Sequence, residues 1–191
     1  GEHLERVAKY SELIARSIAR SHNLTDEFVA MVHLFAPLHD IGKIGIPDHI
    51  LLKPGRLTPD ERKIMETHVE RGVKIVDGTM TIAAGHEMPD AQILRNIVSC
   101  HHEFLDGSGY PKGLKGDDIP LEARIVTVAD VFDALTSVRP YKTHWPNDKA
   151  LKDLMSMAEQ GKLDRSCVSA LHSNRESIKE IQLRYSEGLS R

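Results

Sequence analysis

The sequence predicts an all-α domain of 191 residues. Three observations lead there. Apolar residues recur at three- and four-residue spacing along most of the chain. Helix-start signals precede several of these stretches. No run of alternating strands supports a parallel sheet. With 40% apolar and 28% charged residues, the chain can bury one core, and a single domain over residues 1–191 is expected.

Leu4, Val7, Ile14 and Ile18 place an amphipathic helix over residues 2–20. The chain opens at Gly1 directly in this pattern, so the native protein is expected to continue upstream. Thr25 is a cap for the next helix, with Asp26 and Glu27 in its first turn and Phe28, Met31, Val32 and Phe35 as its buried stripe. Pro37 should loosen that helix near His39. Residues 41–57 are rich in Gly and Pro and read as turns. Thr58 and Glu61 form a capping box around Pro59. The helix it opens is expected to reach Val76, burying Ile64, Met65, Val69, Ile75 and Val76 with His68 on the same face. Residues 91–102 follow the same design, with Ile93, Leu94, Ile97 and Val98 running into His101 and His102. A Gly-rich loop spans Glu103 to Pro120, where Gly107 and Gly109 are expected to take positive φ. Residues 121–137 are ambiguous: Arg124–Val128 is β-branched, but Leu121, Ile125, Val128, Phe132 and Leu135 fit a longer helix. Asn147 is expected to cap a helix closed by Gly161. Residues 165–186 read as one or two helices.

The net charge of −3 excludes a broadly basic nucleic-acid-coating surface, and no DNA partner is expected. No apolar run is long enough to span a membrane. Cys100 and Cys167 form neither a disulfide framework nor a CxxC zinc site, which fits a reducing, cytoplasmic compartment.

The chemistry lies in the histidines. A lone His-Asp pair such as His39-Asp40 is most often a buried histidine beside an ordinary aspartate, and His68 alone is most often a core histidine. His101-His102 is harder to dismiss, because two imidazoles ending an apolar stripe both need partners. A step of about 100° around a helix would let them serve different metals. Asp130, inside Val-Ala-Asp-Val-Phe, needs a cation or a metal. Asp133, one turn on, is positioned to hydrogen-bond a ligand histidine. The combined set of histidines and aspartates, without cysteine, suits iron, manganese, nickel or zinc, and exceeds what a closed structural zinc site uses. Two or three divalent ions in a catalytic arrangement follow.

Two long segments then become legible together. His39-Asp40-Ile-Gly-Lys43-Ile-Gly-Ile-Pro47 resembles the central motif of the HD superfamily in its HD-GYP form. His101-His-Glu-Phe-Leu-Asp106-Gly-Ser-Gly109-Tyr110-Pro111 resembles the second signature of HD-GYP domains. Residues 125–142, with Asp130, Asp133 and Arg139-Pro-Tyr-Lys142, resemble a third block. The resemblance implies an HD-superfamily helical bundle with a metal cluster in its core. It implies metal ligands at His39, Asp40, His68, His101, His102 and Asp130, with Asp40 bridging, and at His3 on the first helix. Trinuclear members carry a glutamate one turn before that histidine. The equivalent position precedes residue 1, so the count of ions stays open between two and three, with iron or manganese favoured.

The resemblance further implies that Lys43 neutralises the scissile phosphate, that Tyr110 contacts the nucleotide, and that Arg139 and Lys142 grip phosphates. The implied activity is metal-dependent hydrolysis of cyclic di-GMP to pGpG, with GMP after a second cut. The implied partners are an upstream receiver or other sensor domain and diguanylate cyclase (GGDEF) domains. A cyclic di-GMP sensor with weak turnover, another HD-type nucleotide hydrolase and a diiron oxygenase remain alternatives. Leu163-Asp164-Arg165 stands where Phe-Asp-Pro is common, and altered packing is expected there.

Overall fold

The structure, a computed structural model, describes residues 1–82, 90–137 and 145–186, with side chains omitted for 80–82. Among the described residues it is all-helical. The α-helices are α1 (Glu2–His22), α2 (Asp26–Phe35), α3 (Asp48–Leu51), α4 (Pro59–Glu66), α5 (His68–Ile82), α6 (Ala91–Cys100), α7 (Leu121–Thr136), α8 (Asn147–Glu159), α9 (Arg165–Ser173) and α10 (Arg175–Arg184). Short 3-10 turns cover Ala36–Leu38, Ile41–Gly45 and Gly116–Asp118. No helix among the described residues is long and apolar enough to cross a membrane.

α7 is the central post. Ile125, Val126, Val128, Ala129 and Phe132 are all inaccessible to solvent, and Glu122, Thr127 and Asp133 are buried too, so the helix is enclosed nearly all round. That removes the polar face that would mark it as helical in sequence, and explains its strand-like look. Around it, α1 contributes Val7, Tyr10 and Ile14, α8 contributes Leu151 and Leu154, α9 contributes Val168 and Leu171, and α10 contributes Ile178. A smaller core of Cys100, Ile119 and Ala123, backed by Leu105 and Leu114, lies under the Gly-rich loop.

The predicted caps at Thr25 and Thr58 form. Thr25 accepts from the Phe28 N–H, and Thr58 and Glu61 complete a reciprocal capping box. Three expectations are corrected. The helix expected over 59–76 breaks at Thr67, whose hydroxyl donates to the Ile64 carbonyl at 2.6 Å and tightens the turn; α5 then restarts at His68 and runs to Ile82. Ile64 and Ile75 are each 39% exposed, because the break rotates their faces away from the core. Asn147 does not cap α8: its side chain exchanges hydrogen bonds with Gln182 on α10, and the first turn follows Pro146. The C-terminal region forms two helices, α9 being capped by Asp164 on Ser166 and Cys167 N–H groups. Asp164 also faces Arg124, and Leu163 is buried, so the Leu-Asp-Arg segment is packed and capped.

Candidate metal centre

Pro37 ends regular α2 geometry, and the 3-10 turn after it leaves His39 buried, with Asp40 opening the next 3-10 turn. That turn presses against α5 through two glycines. A Cβ on Gly42 would lie 1.8 Å from the His68 carbonyl oxygen and 2.4 Å from Gly72 N, and one on Gly72 would meet Val98 of α6 at 2.7 Å. Without those side chains, the His39-Asp40 turn, α5 and α6 approach closely enough to bring Asp40, His68 and His101 together.

Four imidazoles are oriented in the same way. Nδ1 of His39 contacts the Ala36 carbonyl at 2.7 Å, and Nδ1 of His68 contacts that of Met65 at 2.8 Å. Nδ1 of His101 contacts the Ile97 and Val98 carbonyls at 3.1 Å. Nδ1 of His3 contacts Asp133 Oδ2 at 2.7 Å. Carbonyls and carboxylates only accept, so each Nδ1 carries a proton, and each Nε2 faces the interior, where a neutral ring offers its lone pair to a cation. Those Nε2 atoms converge on acids. His68 and His101 lie 3.2 and 3.6 Å from Asp40 Oδ1, and His39 lies 3.3 Å from Asp40 Oδ2. Asp130 Oδ1 lies 3.7 Å from His3 Nε2 and 3.9 Å from His39 Nε2. The Nε2 atoms of His68 and His101 face each other at 3.4 Å. His39 Nε2 and Asp40 Oδ1 are buried without a hydrogen-bond partner.

Lone pairs and carboxylate oxygens packed against one another repel unless cations lie between them. The donor chemistry therefore fits divalent metal ions. Two groups have ligand atoms close enough to share an ion: Asp40 with His68, His101 and His102, and Asp40 with His3 and His39. Asp40 belongs to both, and Asp130 flanks the second. His101 and His102 stand together in one group, with ring centroids 4.1 Å apart, which corrects the expected divergence. They occupy the C-cap of α6 and the turn beyond it, where the helical step no longer applies.

Sequence reasoning overlooked Glu103. It is 2% exposed and accepts from Lys112 N at 2.7 Å and Leu114 N at 3.0 Å, pinning the Gly-rich loop beside the metal-facing histidines. Its position directly after His101-His102 was the available signal. Gly107 has φ of 81° as expected, but Gly109 does not take positive φ. Gly109 is required by close approach instead, since a Cβ there would lie 2.4 Å from the His102 carbonyl oxygen. The loop delivers Tyr110 to stack on His102, with centroids 4.6 Å apart and planes at 24°. Lys43 reaches Asp40 Oδ2 at 2.5 Å. Arg139 and Lys142 lie outside the described residues.

Burial pushes the Asp40 carboxyl up, but the facing imidazoles of His101, His39 and His68 outweigh it and hold it well below the usual range. Burial lowers His101, and burial plus the neighbouring His101 and His68 lowers His102 to about 2. Burial would also lower His39, but Asp40 and Asp130 raise it overall. Neutral His101 and His102 keep their lone pairs available at ordinary pH.

A stability prediction follows for chelator-treated protein. The unfolded chain protonates these two histidines below about pH 6.5 while the folded chain does not, so stability falls as pH falls through that value. The raised His39 acts in the opposite sense, adding stability as pH falls from its folded value to about 6.5 and staying constant below, so it offsets at most one of the two histidines there. Asp40 removes further stability below about pH 4. The melting temperature is expected to drop between pH 7 and pH 5, and a flat profile would contradict the assigned histidine environment.

Fold and site together define a protein that is all-helical among the described residues and carries a shared histidine–aspartate cluster able to hold metal ions. The chain belongs to the HD domain family, which matches residues 2–167, and the HD-GYP reading of its two long motifs stands with that match. It is 44% identical over 189 residues to the cyclic di-GMP phosphodiesterase response regulator RpfG of Xanthomonas campestris, covering 98% of this chain and 47% of that protein. It is 42% identical over 156 residues to 3'3'-cGAMP-specific phosphodiesterase 2 of Vibrio cholerae, covering 82% and 28% respectively. The chain thus spans less than half the length of these relatives. The fold is shared with Bd1817, an HDG"Y"P protein from Bdellovibrio bacteriovorus, at a TM-score of 0.65 and 24% identity over 91% of this chain and 51% of that one.

Proposed function

We propose that this chain is the hydrolytic unit of a cyclic di-GMP phosphodiesterase, cutting the cyclic dinucleotide to linear pGpG and, after a second cut, to GMP. The observation that carries the reading is the convergence of His3, His39, His68 and His101 Nε2 atoms on Asp40 and Asp130, with His39 Nε2 and Asp40 Oδ1 buried and unpartnered.

In this reading His3, His39 and Asp130 hold one ion, His68, His101 and His102 hold another, and Asp40 serves both. Iron or manganese suits the nitrogen–oxygen set, and nickel or zinc is admitted by the same donors. Divalent ions bound there supply Lewis acidity toward a phosphodiester and toward water. The chain's own residues do the rest. Lys43 balances Asp40 and, partly exposed, offers its remaining N–H donors to a phosphate. Tyr110, held by its loop against His102, gives a nucleotide base an aromatic face. Arg139 and Lys142 supply further phosphate contacts, the guanidinium in bidentate fashion. The buried imidazoles, three of them no more than 1% exposed, keep the cluster in a poorly solvated environment where charge interactions are strong.

A cytoplasmic setting accords with two free buried cysteines. An upstream receiver accords with the words "response regulator" in the name of RpfG, and GGDEF domains are further partners in this reading. The cGAMP-specific name of the Vibrio cholerae relative favours one second reading, the same chemistry on 3'3'-cGAMP. The test is anaerobic incubation of the protein, loaded with ferrous iron or manganese, with each cyclic dinucleotide, followed by chromatography. Faster loss of cyclic di-GMP with appearance of pGpG is expected. Faster loss of 3'3'-cGAMP would favour the second reading, and binding of either without product would leave a sensor.

A further inference from the structure

α1 and α7 meet along a line of paired positions. His3 and Arg6 lie one turn apart on α1, and Asp130 and Asp133 lie one turn apart on α7. His3 faces Asp130 with Nε2 and Asp133 with Nδ1. Behind it, Arg6 is 6% exposed. Its guanidinium donates from Nε to Asp133 Oδ1 at 2.7 Å and from Nη2 to Asp133 Oδ2 at 3.2 Å. Nη2 also donates to Ser137 Oγ at 2.8 Å, and Nη1 donates to the Tyr185 carbonyl at 2.8 Å. Ser137 Oγ in turn donates to Asp133 Oδ2 at 2.8 Å. Asp133 is fully buried, so its carboxylate can turn neither to water nor to another rotamer without losing Arg6.

We propose that Arg6 is a positioning residue for the ion subsite formed by His3, His39, Asp40 and Asp130. It acts through Asp133 on the tautomer and direction of His3. The inference rests on the metal-centre reading above. The chemistry is one of geometry. An imidazole whose Nδ1–H is fixed by a carboxylate can offer only Nε2 to a metal, and the carboxylate is a firm acceptor only while it is itself clamped. Three nitrogens of one planar fork reach three different partners here, which a lysine ammonium on a flexible stem cannot reproduce. Arg6 touches none of the atoms that would meet substrate, so its influence is confined to one side of the centre. The subsite of His68, His101 and His102, completed by Asp40, is built on α5, the end of α6 and the turns after α2 and α6, and none of its ligands lies on α1 or α7.

The test compares wild type with Arg6→Lys and Arg6→Gln, each checked for native helix content by circular dichroism. The metal-free proteins are titrated with manganese by calorimetry, and separate zinc-loaded samples are used to record ¹⁵N shifts of the histidine rings. Wild type is expected to take at least two ions, with His3 in the Nδ1–H form. Both variants are expected to lose one ion equivalent, or to bind it at least tenfold more weakly, while the other keeps its affinity, and the His3 ring signal should move to a tautomer mixture. Asp133→Asn should produce the same loss, and adding Arg6→Gln to it should cost little more. If either folded variant retains every ion at wild-type affinity with His3 unchanged, Arg6 is a structural ion pair alone. Equal weakening of both ions in the folded variants would also overturn the proposal. If the wild type binds no manganese, the metal-centre reading fails instead. A variant that does not fold is replaced by Ser137→Ala, which removes one support of the same carboxylate and should weaken the same ion alone; no change in that ion would count against the proposal.

Discussion

Asparagine in place of Asp40 is expected to weaken both ion sites together and to lower turnover by a factor on the order of 10³, equivalent to about 4 kcal/mol. The side chain keeps its shape and loses its charge. Oδ1 lies within 3.6 Å of His68 and His101, and Oδ2 lies 3.3 Å from His39 and 2.5 Å from Lys43. An amide places either an NH₂ group or a neutral oxygen where, in the proposed centre, two cations would share an anion. No other residue among the described ones belongs to both candidate ligand groups, so nothing nearby substitutes for it. Helix content should be unchanged, because Asp40 stands at the start of a 3-10 turn outside the main apolar core. The check is elemental analysis together with product formation from cyclic di-GMP. Retained ions with full turnover would refute the shared role of Asp40.

The second large effect is on stability. Gly42→Ala is expected to destabilise the protein by about 3 kcal/mol or more. The added Cβ would fall 1.8 Å from the His68 carbonyl oxygen and 2.4 Å from Gly72 N. Both are backbone atoms, so no side chain can swing aside; the turn carrying His39-Asp40 must lift from α5, taking the metal centre apart as it does. Gly78, on the same helix, provides the contrast. A Cβ there meets nothing within 4 Å, so Gly78→Ala should stabilise by up to about 1 kcal/mol through helix propensity. Thermal and urea denaturation of the pair should therefore move in opposite directions. A Gly42→Ala protein as stable as wild type would show that the close approach is not required.

Much of this fold can be read from local signals. The Thr58–Glu61 box and the Thr25 cap are chemical patterns of a few residues, and both form as read. Periodicity was ambiguous for α7 because that helix is buried on nearly every side, and length decided correctly. The failures have different origins, one in a contact distant in sequence and one in a local side-chain hydrogen bond to the backbone. Asn147 has the chemistry of a cap but finds Gln182, and Ile64 and Ile75 fit one apolar stripe but lie on opposite sides of the break at Thr67.

The site divides in the same way. The histidines and aspartates that converge were visible as residues that apolar helices do not tolerate without partners. The resemblance to HD-GYP domains grouped them. Their supports were harder to see. Arg6 is a charged residue amid Val7, Tyr10 and Ile14 on the buried face of α1, and it meets Asp133 across 127 residues of sequence. Glu103 finds its partners in backbone N–H groups, which carry no side-chain signature. Gly42 and Gly109 serve close approaches between backbones rather than positive φ, which a turn-based reading of glycine cannot anticipate.

The most direct test is anomalous diffraction from crystals of the full chain grown with manganese or ferrous iron. At least two peaks are predicted within about 2.0–2.3 Å of ligand atoms, one shared by Asp40 with His68, His101 and His102, the other by Asp40 with His3, His39 and Asp130. A well-ordered, metal-soaked crystal with these side chains in place and no anomalous density among them would contradict the account.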